Sequence, residues 1–208
     1  MDWTILLSLN TIEEQHSNPT YNTEAAITQF LYYASTNPSA IFQYKSSIMI
    51  LHIFSDSLHL SEPWTPSLTG ENYYLRLLSS DPSKDPNLPA PKNVPIHTEC
   101  RILNHVVASA SKSEDGGLFY NGQTAVPLRI ALHEICFPLP PTPIKTDDSE
   151  AKGIVPDTVR QKTSKVMEMK FYWMKDRVKL KDLFIYWKPG SKNMGGYFTK
   201  NHPPHNHK

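Results

Sequence analysis

The run Ile48-Met49-Ile50-Leu51-His52-Ile53-Phe54 is an almost unbroken stretch of apolar residues rich in isoleucine. A β-strand sends alternate side chains to opposite faces, so a strand apolar at nearly every position needs cover on both sides. It therefore reads as the central strand of a sheet with helices packed against it, and Asp56 follows at its end.

The flanking pattern supplies the other elements. Residues 1 to 22 read as polar and irregular. Thr23-Glu24-Ala25-Ala26 then looks like a capped helix start, and Ile27, Phe30, Leu31 and Ala34 follow at helical spacing until Asn37-Pro38 stops them. A second strand is expected over Tyr73–Leu78. A third is expected where Ile96, Thr98, Cys100 and Ile102 alternate with His97, Glu99 and Arg101, the period of a half-buried strand. Between them Pro82, Pro86, Pro89, Pro91 and Pro95 mark an extended, exposed loop over 79–95.

Ser111-Lys112-Ser113-Glu114 matches a capping box, which opens a helix to about Ile135 with a kink expected at Pro127. The prolines from Pro138 to Pro143 end it, and Ile144-Lys145-Thr146 forms a short strand that delivers Asp147. Ser149 can cap a brief helix ending near Pro156. Met167, Phe171, Met174 and Val178 form one stripe of a longer helix, whose flank carries Lys162, Lys165, Lys170 and Arg177. Phe184 to Trp187 reads as the last strand, before a Lys188-Pro189-Gly190 turn.

At 208 residues and 23.7 kDa the chain has room for one domain of ordinary size. The formal charge of +1 conceals an asymmetry: from Arg160 to Lys200 basic residues far outnumber Glu168, Asp176 and Asp182. A basic surface beside an acidic remainder suits a polyanion held next to a metal site, although a lysine-rich helix face is also an ordinary solvated surface. The two cysteines, Cys100 and Cys136, form no close pair of the kind that zinc or redox motifs need, so a reducing compartment is expected. No apolar stretch approaches the roughly 20 residues of a membrane span, and the chain reads as soluble and intracellular. His202, His205 and His207 near the end have no partner cysteines to complete a zinc site.

The element order is three strands, helix, strand, one or two helices, strand and tail. A mixed five-stranded sheet with its first three strands antiparallel and helices packed on it is the economical α/β solution. It brings Asp56, Glu114 and Asp147 toward one edge of the sheet. Oxygen ligands so gathered suit a hard cation such as Mg²⁺, which bridges carboxylates and phosphates. Each acid also has a plainer role available: Asp56 at a turn, Glu114 in the capping box, Asp147 capping the helix that follows.

Several strings carry a resemblance. Ile53-Phe54-Ser55-Asp56-Ser57, Ser113-Glu114-Asp115-Gly116-Gly117-Leu118, Thr146-Asp147-Asp148-Ser149 and Tyr197-Phe198-Thr199-Lys200 together resemble the ribonuclease H domain that closes the polyprotein of copia-type LTR retrotransposons, a class of transposable element. The likeness covers nearly the whole chain. Residues 1–44 resemble the end of the reverse-transcriptase region, 45–200 the ribonuclease H-like domain, and 201–208 a disordered tail.

That resemblance implies a ribonuclease H-like fold, two Mg²⁺ ions held by Asp56, Glu114 and Asp147 as catalytic and metal-binding acids, and an RNA–DNA hybrid as the partner that is cut. Lys162, Lys165, Lys170 and Arg177 are implied to contact the nucleic acid. The family's fourth acid aligns with Gly196, which has no side-chain oxygen, so the active site is degenerate and cleavage is expected to be weakened or lost. Asp148 or Glu150 would have to reach across the site to replace it. No Tyr-x-Asp-Asp polymerase motif occurs, and no DNA synthesis is expected of the chain. A non-catalytic nucleic-acid-binding or interaction module that kept the fold, and a decayed reading frame with no selected function, remain alternatives.

Overall fold

A computed structural model describes residues 3–39, 41–59, 67–76, 93–103, 109–137, 139–148, 165–190, 193, 195–197 and 199–200. Most of the proline-rich loop, the brief helix expected after Ser149, Lys162 and the 201–208 tail lie outside the described residues, as does the side chain of Lys165.

Five strands make one mixed sheet in the order β3-β2-β1-β4-β5: β1 (Leu51–Leu58), β2 (Leu68–Leu75), β3 (Pro95–Ile102), β4 (Thr142–Thr146) and β5 (Leu183–Trp187). β1, β2 and β3 pair antiparallel, β4 runs parallel to β1, and β5 runs parallel to β4. This is the arrangement expected from the sequence. The apolar run delivers its central strand, and the first six residues of β1 are buried.

Paired residues share a face of the sheet, so Ile53, Tyr73, Ile144 and Ile185 line up side by side. Together with Leu51 and Leu183 they meet Leu118, Ala125 and Leu132 of α3 (Ala110–Glu134) and Met174 of α4 (Lys165–Lys179) in one core. Burying side chains of this size contributes about 1.5–3 kcal/mol each. Of the expected stripe of α4, Met174 is buried and Phe171 and Val178 pack against the core, while the side chain of Met167 lies outside the described residues. On the opposite face His52 stacks on Tyr74 and donates to or accepts from the Tyr186 hydroxyl at 2.7 Å, while the Lys145 ammonium lies over the Phe54 ring.

Small residues let α3 lie close to the sheet. A Cβ at Gly117 would fall against the Ser57 hydroxyl and 2.7 Å from Thr69 Oγ1. Beneath this contact lies a buried polar group: Tyr73 donates its hydroxyl to Glu71, and the Asn121 amide, turned so that its nitrogen faces Glu71, accepts from Ser55 Oγ at 2.6 Å. Burial pushes the Glu71 carboxyl up to about 7, against the opposing pull of the Tyr73 hydrogen bond and the Arg101 charge.

Local boundaries differ from the sequence expectation in several places. The leading segment expected to be irregular is helical from Trp3 to Glu14: α1 (Leu6–Glu14) packs by β3, where Asn10 Nδ2 donates to Cys100 O at 2.7 Å. With no side-chain cap and only nine residues, α1 gives little local signal. The next helix, α2 (Tyr21–Thr36), starts before Thr23 because Thr20 is its cap, accepting from Thr23 N–H at 3.3 Å while Thr23 Oγ1 accepts from Thr20 N–H at 2.9 Å. β2 begins at Leu68 rather than Tyr73, since its Gly70-Glu71-Asn72 stretch lacks strand propensity and is held by pairing with β1. β1 itself begins at Leu51 rather than Ile48 and extends through Asp56 to Leu58, and Pro95 opens β3 instead of ending the loop. A proline can take the first place of a strand because no ladder donor is demanded there. α3 runs through Pro127 to Glu134.

Candidate metal centre

Two parallel neighbours and a helix start build the site. Asp56 lies inside β1, opposite Gly70 of β2, and Asp147 directly follows β4. Because β1 and β4 run parallel and in contact, their two acids emerge at the same end of the sheet. Glu114 comes from the first turns of α3, which packs on β1. One carboxylate oxygen from each of Asp56, Glu114 and Asp147 lies within 4.8 Å of the others. All three sequence-predicted acids therefore converge.

Glu114 is not the capping-box residue the sequence suggested. Ser109, in extended conformation, caps α3 by accepting from Lys112 N–H at 3.3 Å, two residues ahead of the expected Ser111. Glu114 Oε1 instead accepts the backbone N–H of Ser57 at 2.7 Å, and Oε2 is buried with no hydrogen-bond partner among the described residues. Burial pushes the Glu114 carboxyl well above its ordinary range, the negative charge of Asp56 adds to this, and the Ser57 N–H opposes it. A buried carboxylate oxygen without a donor, next to two more carboxylates, is a donor set that fits a divalent cation.

Asp56 is 1 % exposed, and burial raises its pKa against the opposing pulls of the Thr199 hydroxyl and the Lys200 charge. Its surroundings come from the end of the chain. Thr199 donates its hydroxyl to Oδ2, Asn193 Nδ2 lies 3.4 Å from Oδ1, and the Lys200 ammonium sits 3.4 Å from Oδ2. The turn that carries them is pressed onto β1: a Cβ at Gly195 would lie 2.9 Å from the Asp56 backbone nitrogen, a distance that only glycine satisfies.

Gly196 stands beside the site, as the alignment of the fourth acid implied. A Cβ there would lie 3.6 Å from Asp56 Oδ2, which is ordinary contact, so the position has room for a side chain. Asp148 accepts a hydrogen bond from Ser111 Oγ at 2.9 Å, and Glu150 lies outside the described residues. Thr199 and Lys200 were visible in the sequence only as part of a family-like string. Asn193 carried no signal at all.

The basic flank of α4 is partly engaged within the protein. Lys170 Nζ lies over the Phe119 and Tyr120 rings, at 5.3 and 5.0 Å from their centroids. Arg177 lies over Trp173 and pairs with Asp182 at 3.2 Å. Among the described residues no helix is long and apolar enough to cross a membrane.

The sheet order and its mixed strand directions, with helices packed on the sheet, are those of the ribonuclease H-like fold expected from the sequence. No protein-family model matches the chain, and no curated protein matches it in sequence. Among solved structures it is similar to ribonuclease H1 of the halophilic archaeon Halobacterium salinarum, with 12% identity, a TM-score of 0.43, and coverage of 69% of this chain and 88% of that one. It is similar to the N-terminal ribonuclease H domain of a Mycobacterium tuberculosis protein, with 14% identity, a TM-score of 0.44, and coverage of 70% and 86%. It is also similar to the foamy viral protease-reverse transcriptase in complex with RNA/DNA hybrid, at 14% identity and a TM-score of 0.40, over 83% of this chain and 24% of that one.

Proposed function

We propose that the chain is the ribonuclease H-like part of a copia-type retrotransposon polyprotein, that it holds Mg²⁺ at Asp56, Glu114 and Asp147, and that it binds RNA–DNA hybrid with weakened cleavage. The observation that carries this reading is the convergence of the three carboxylates around a buried Glu114 oxygen that has no other partner among the described residues.

A divalent ion bound there supplies counter-charge for the phosphoryl oxygens of the scissile phosphodiester. The chain's own groups set the geometry. Ser57 N–H holds one Glu114 oxygen and leaves the other for ligation, while Thr199 and Asn193 fix the Asp56 carboxylate. Gly196 contributes no side-chain oxygen, which is the reason to expect weak cleavage. Of the basic flank, Lys162 and Lys165 are assigned to the hybrid's backbone, since duplexes of A-like geometry are held by shape and phosphate contacts, while Lys170 and Arg177 are engaged within the protein and are assigned a lesser part.

A second reading, a nucleic-acid-binding module without catalysis, is favoured by the Lys200 ammonium already paired with Asp56. Mg²⁺-dependent cutting of a labelled RNA–DNA hybrid by the parent, Gly196→Asp and Asp147→Asn separates the two. The first reading expects slow cutting by the parent, faster cutting by Gly196→Asp and none by Asp147→Asn. Silence from all three with the hybrid still bound selects the second reading. Loss of hybrid binding even at low salt defeats both.

A further inference from the structure

Asp56 already has a cation of the chain's own. Lys200 Nζ lies 3.4 Å from Oδ2 and 3.4 Å from Oδ1, so the ammonium straddles both oxygens of the buried carboxylate. It is held there by the last turn of the domain, where Lys200 N–H donates to Gly196 O at 3.1 Å and Gly195 abuts β1. Thr199 and Asn193 donate to the same carboxylate. An ionised carboxylate offers about four lone-pair sites, so these three donors leave Asp56 room for one metal ion and not for two.

The ammonium also shares its place with the missing acid. A Cβ at Gly196 would lie 3.6 Å from Asp56 Oδ2 and 3.7 Å from Lys200 Nζ. With glycine at 196, no carboxylate at that position faces the Lys200 ammonium. Three carboxylates and one ammonium leave a surplus that a single divalent cation neutralises, whereas a second would leave the site positive. The unpartnered Glu114 Oε2 and the half-buried Asp147 are the ligands still open.

We infer that Lys200 is a fixed counter-cation of the centre, occupying the place beside Asp56 that a second metal ion would take, so that the three-carboxylate site accepts one divalent cation. This rests on the cation-binding reading above and assigns the centre's stoichiometry to a residue of the chain itself. A carboxylate shared with an ammonium keeps its geometry without metal, because the charge it faces is covalently tethered.

The test is the number of Mn²⁺ ions bound per chain, read by the loss of the free-ion electron paramagnetic resonance signal and by calorimetry. The parent, Lys200→Gln, Lys200→Arg and Glu114→Gln are compared, each first shown to melt cooperatively. The parent and Lys200→Arg are expected to bind one ion, Lys200→Gln to bind two, and Glu114→Gln none. Two ions on the parent, or one ion on Lys200→Gln at any affinity, overturns the inference while leaving the cation centre standing. No ion on either the parent or Lys200→Gln removes the centre and the inference together. The side chain of Lys200 is about half exposed, and Lys200→Arg retains the charge, so a folding defect is distinguished from a loss of the counter-cation.

Discussion

The backbone N–H of Ser57 donates to Glu114 Oε1 at 2.7 Å, which ties the start of α3 to the end of β1. This bond does more than join two elements. It orients the carboxylate so that Oε2 is left buried and unpartnered among the described residues, at the place where Asp56 and Asp147 also present oxygens. A buried anion of this kind is costly without a counter-charge.

Glu114→Gln keeps an amide oxygen that can accept from Ser57 N–H and removes the charge. In the parent, millimolar Mg²⁺ is expected to raise the melting temperature, because a ligand that binds only the folded state stabilises it by mass action. In Glu114→Gln that rise should vanish, while the metal-free variant melts no lower than the metal-free parent. Differential scanning calorimetry with and without Mg²⁺ reads both, and an equal Mg²⁺ response in the two proteins would refute the role given to Glu114.

Glu71 predicts a pH dependence separate from the carboxylate cluster. Its carboxyl is raised from 4.5 to about 7, chiefly by burial, so the folded chain holds the proton more tightly than the unfolded chain does. The stabilisation it provides is fully present below about pH 4.5 and is lost as pH rises toward about 7. The loss is on the order of 3 kcal/mol at most. Urea unfolding of the parent at about pH 5 and about pH 8, beside Glu71→Gln, isolates it. The variant should show a flatter profile, since the substituted glutamine side chain still accepts from the Tyr73 hydroxyl and Asn121 can turn its oxygen toward the new amide. Parallel profiles for the two proteins count against a protonated Glu71.

At Gly117 two effects of alanine oppose each other. Helix propensity alone favours alanine by roughly 0.5–1 kcal/mol. The added Cβ would press on the Ser57 hydroxyl and lie 2.7 Å from Thr69 Oγ1, however, and overpacking of this kind costs about 1–3 kcal/mol. The steric cost should win, lowering the urea midpoint of Gly117→Ala and loosening the Ser57–Glu114 bond. A stabilised variant would mean that α3 does not lie this close to β1.

The basic residues along and before α4 should divide into two groups. Lys162→Gln and Lys165→Gln are expected to weaken hybrid binding across sequences and to lower the salt slope by about one for each phosphate no longer neutralised. Arg177 is held by Asp182 and Trp173, so Arg177→Gln is expected to leave the slope unchanged and to cost about 1 kcal/mol or less in stability. Fluorescence anisotropy against salt concentration distinguishes the groups, and a reduced slope for Arg177→Gln would return that residue to the nucleic-acid surface.

The amino-acid sequence alone determined the five strands, the helices that follow Thr20 and span α3 and α4, and the identity of the three acids, but not α1. The apolar run became β1, the stripe of Phe171, Met174 and Val178 became the core-facing side of α4, and Asp56, Glu114 and Asp147 converged. These were legible because periodicity and strand burial are local properties, and because the acids sit in short strings with a family-like order. The tertiary structure alone decided what each acid touches. Gly70-Glu71-Asn72 is a strand because β1 lies beside it, and Glu114 is a candidate ligand rather than a cap because Ser109 caps α3 and Ser57 claims one oxygen. Lys200 meets Asp56 across 144 residues of sequence, a pairing made by the close approach of Gly195 to β1. Local pattern selects helix or strand, whereas a buried charge takes its partner from whatever distant segment the packing brings within reach.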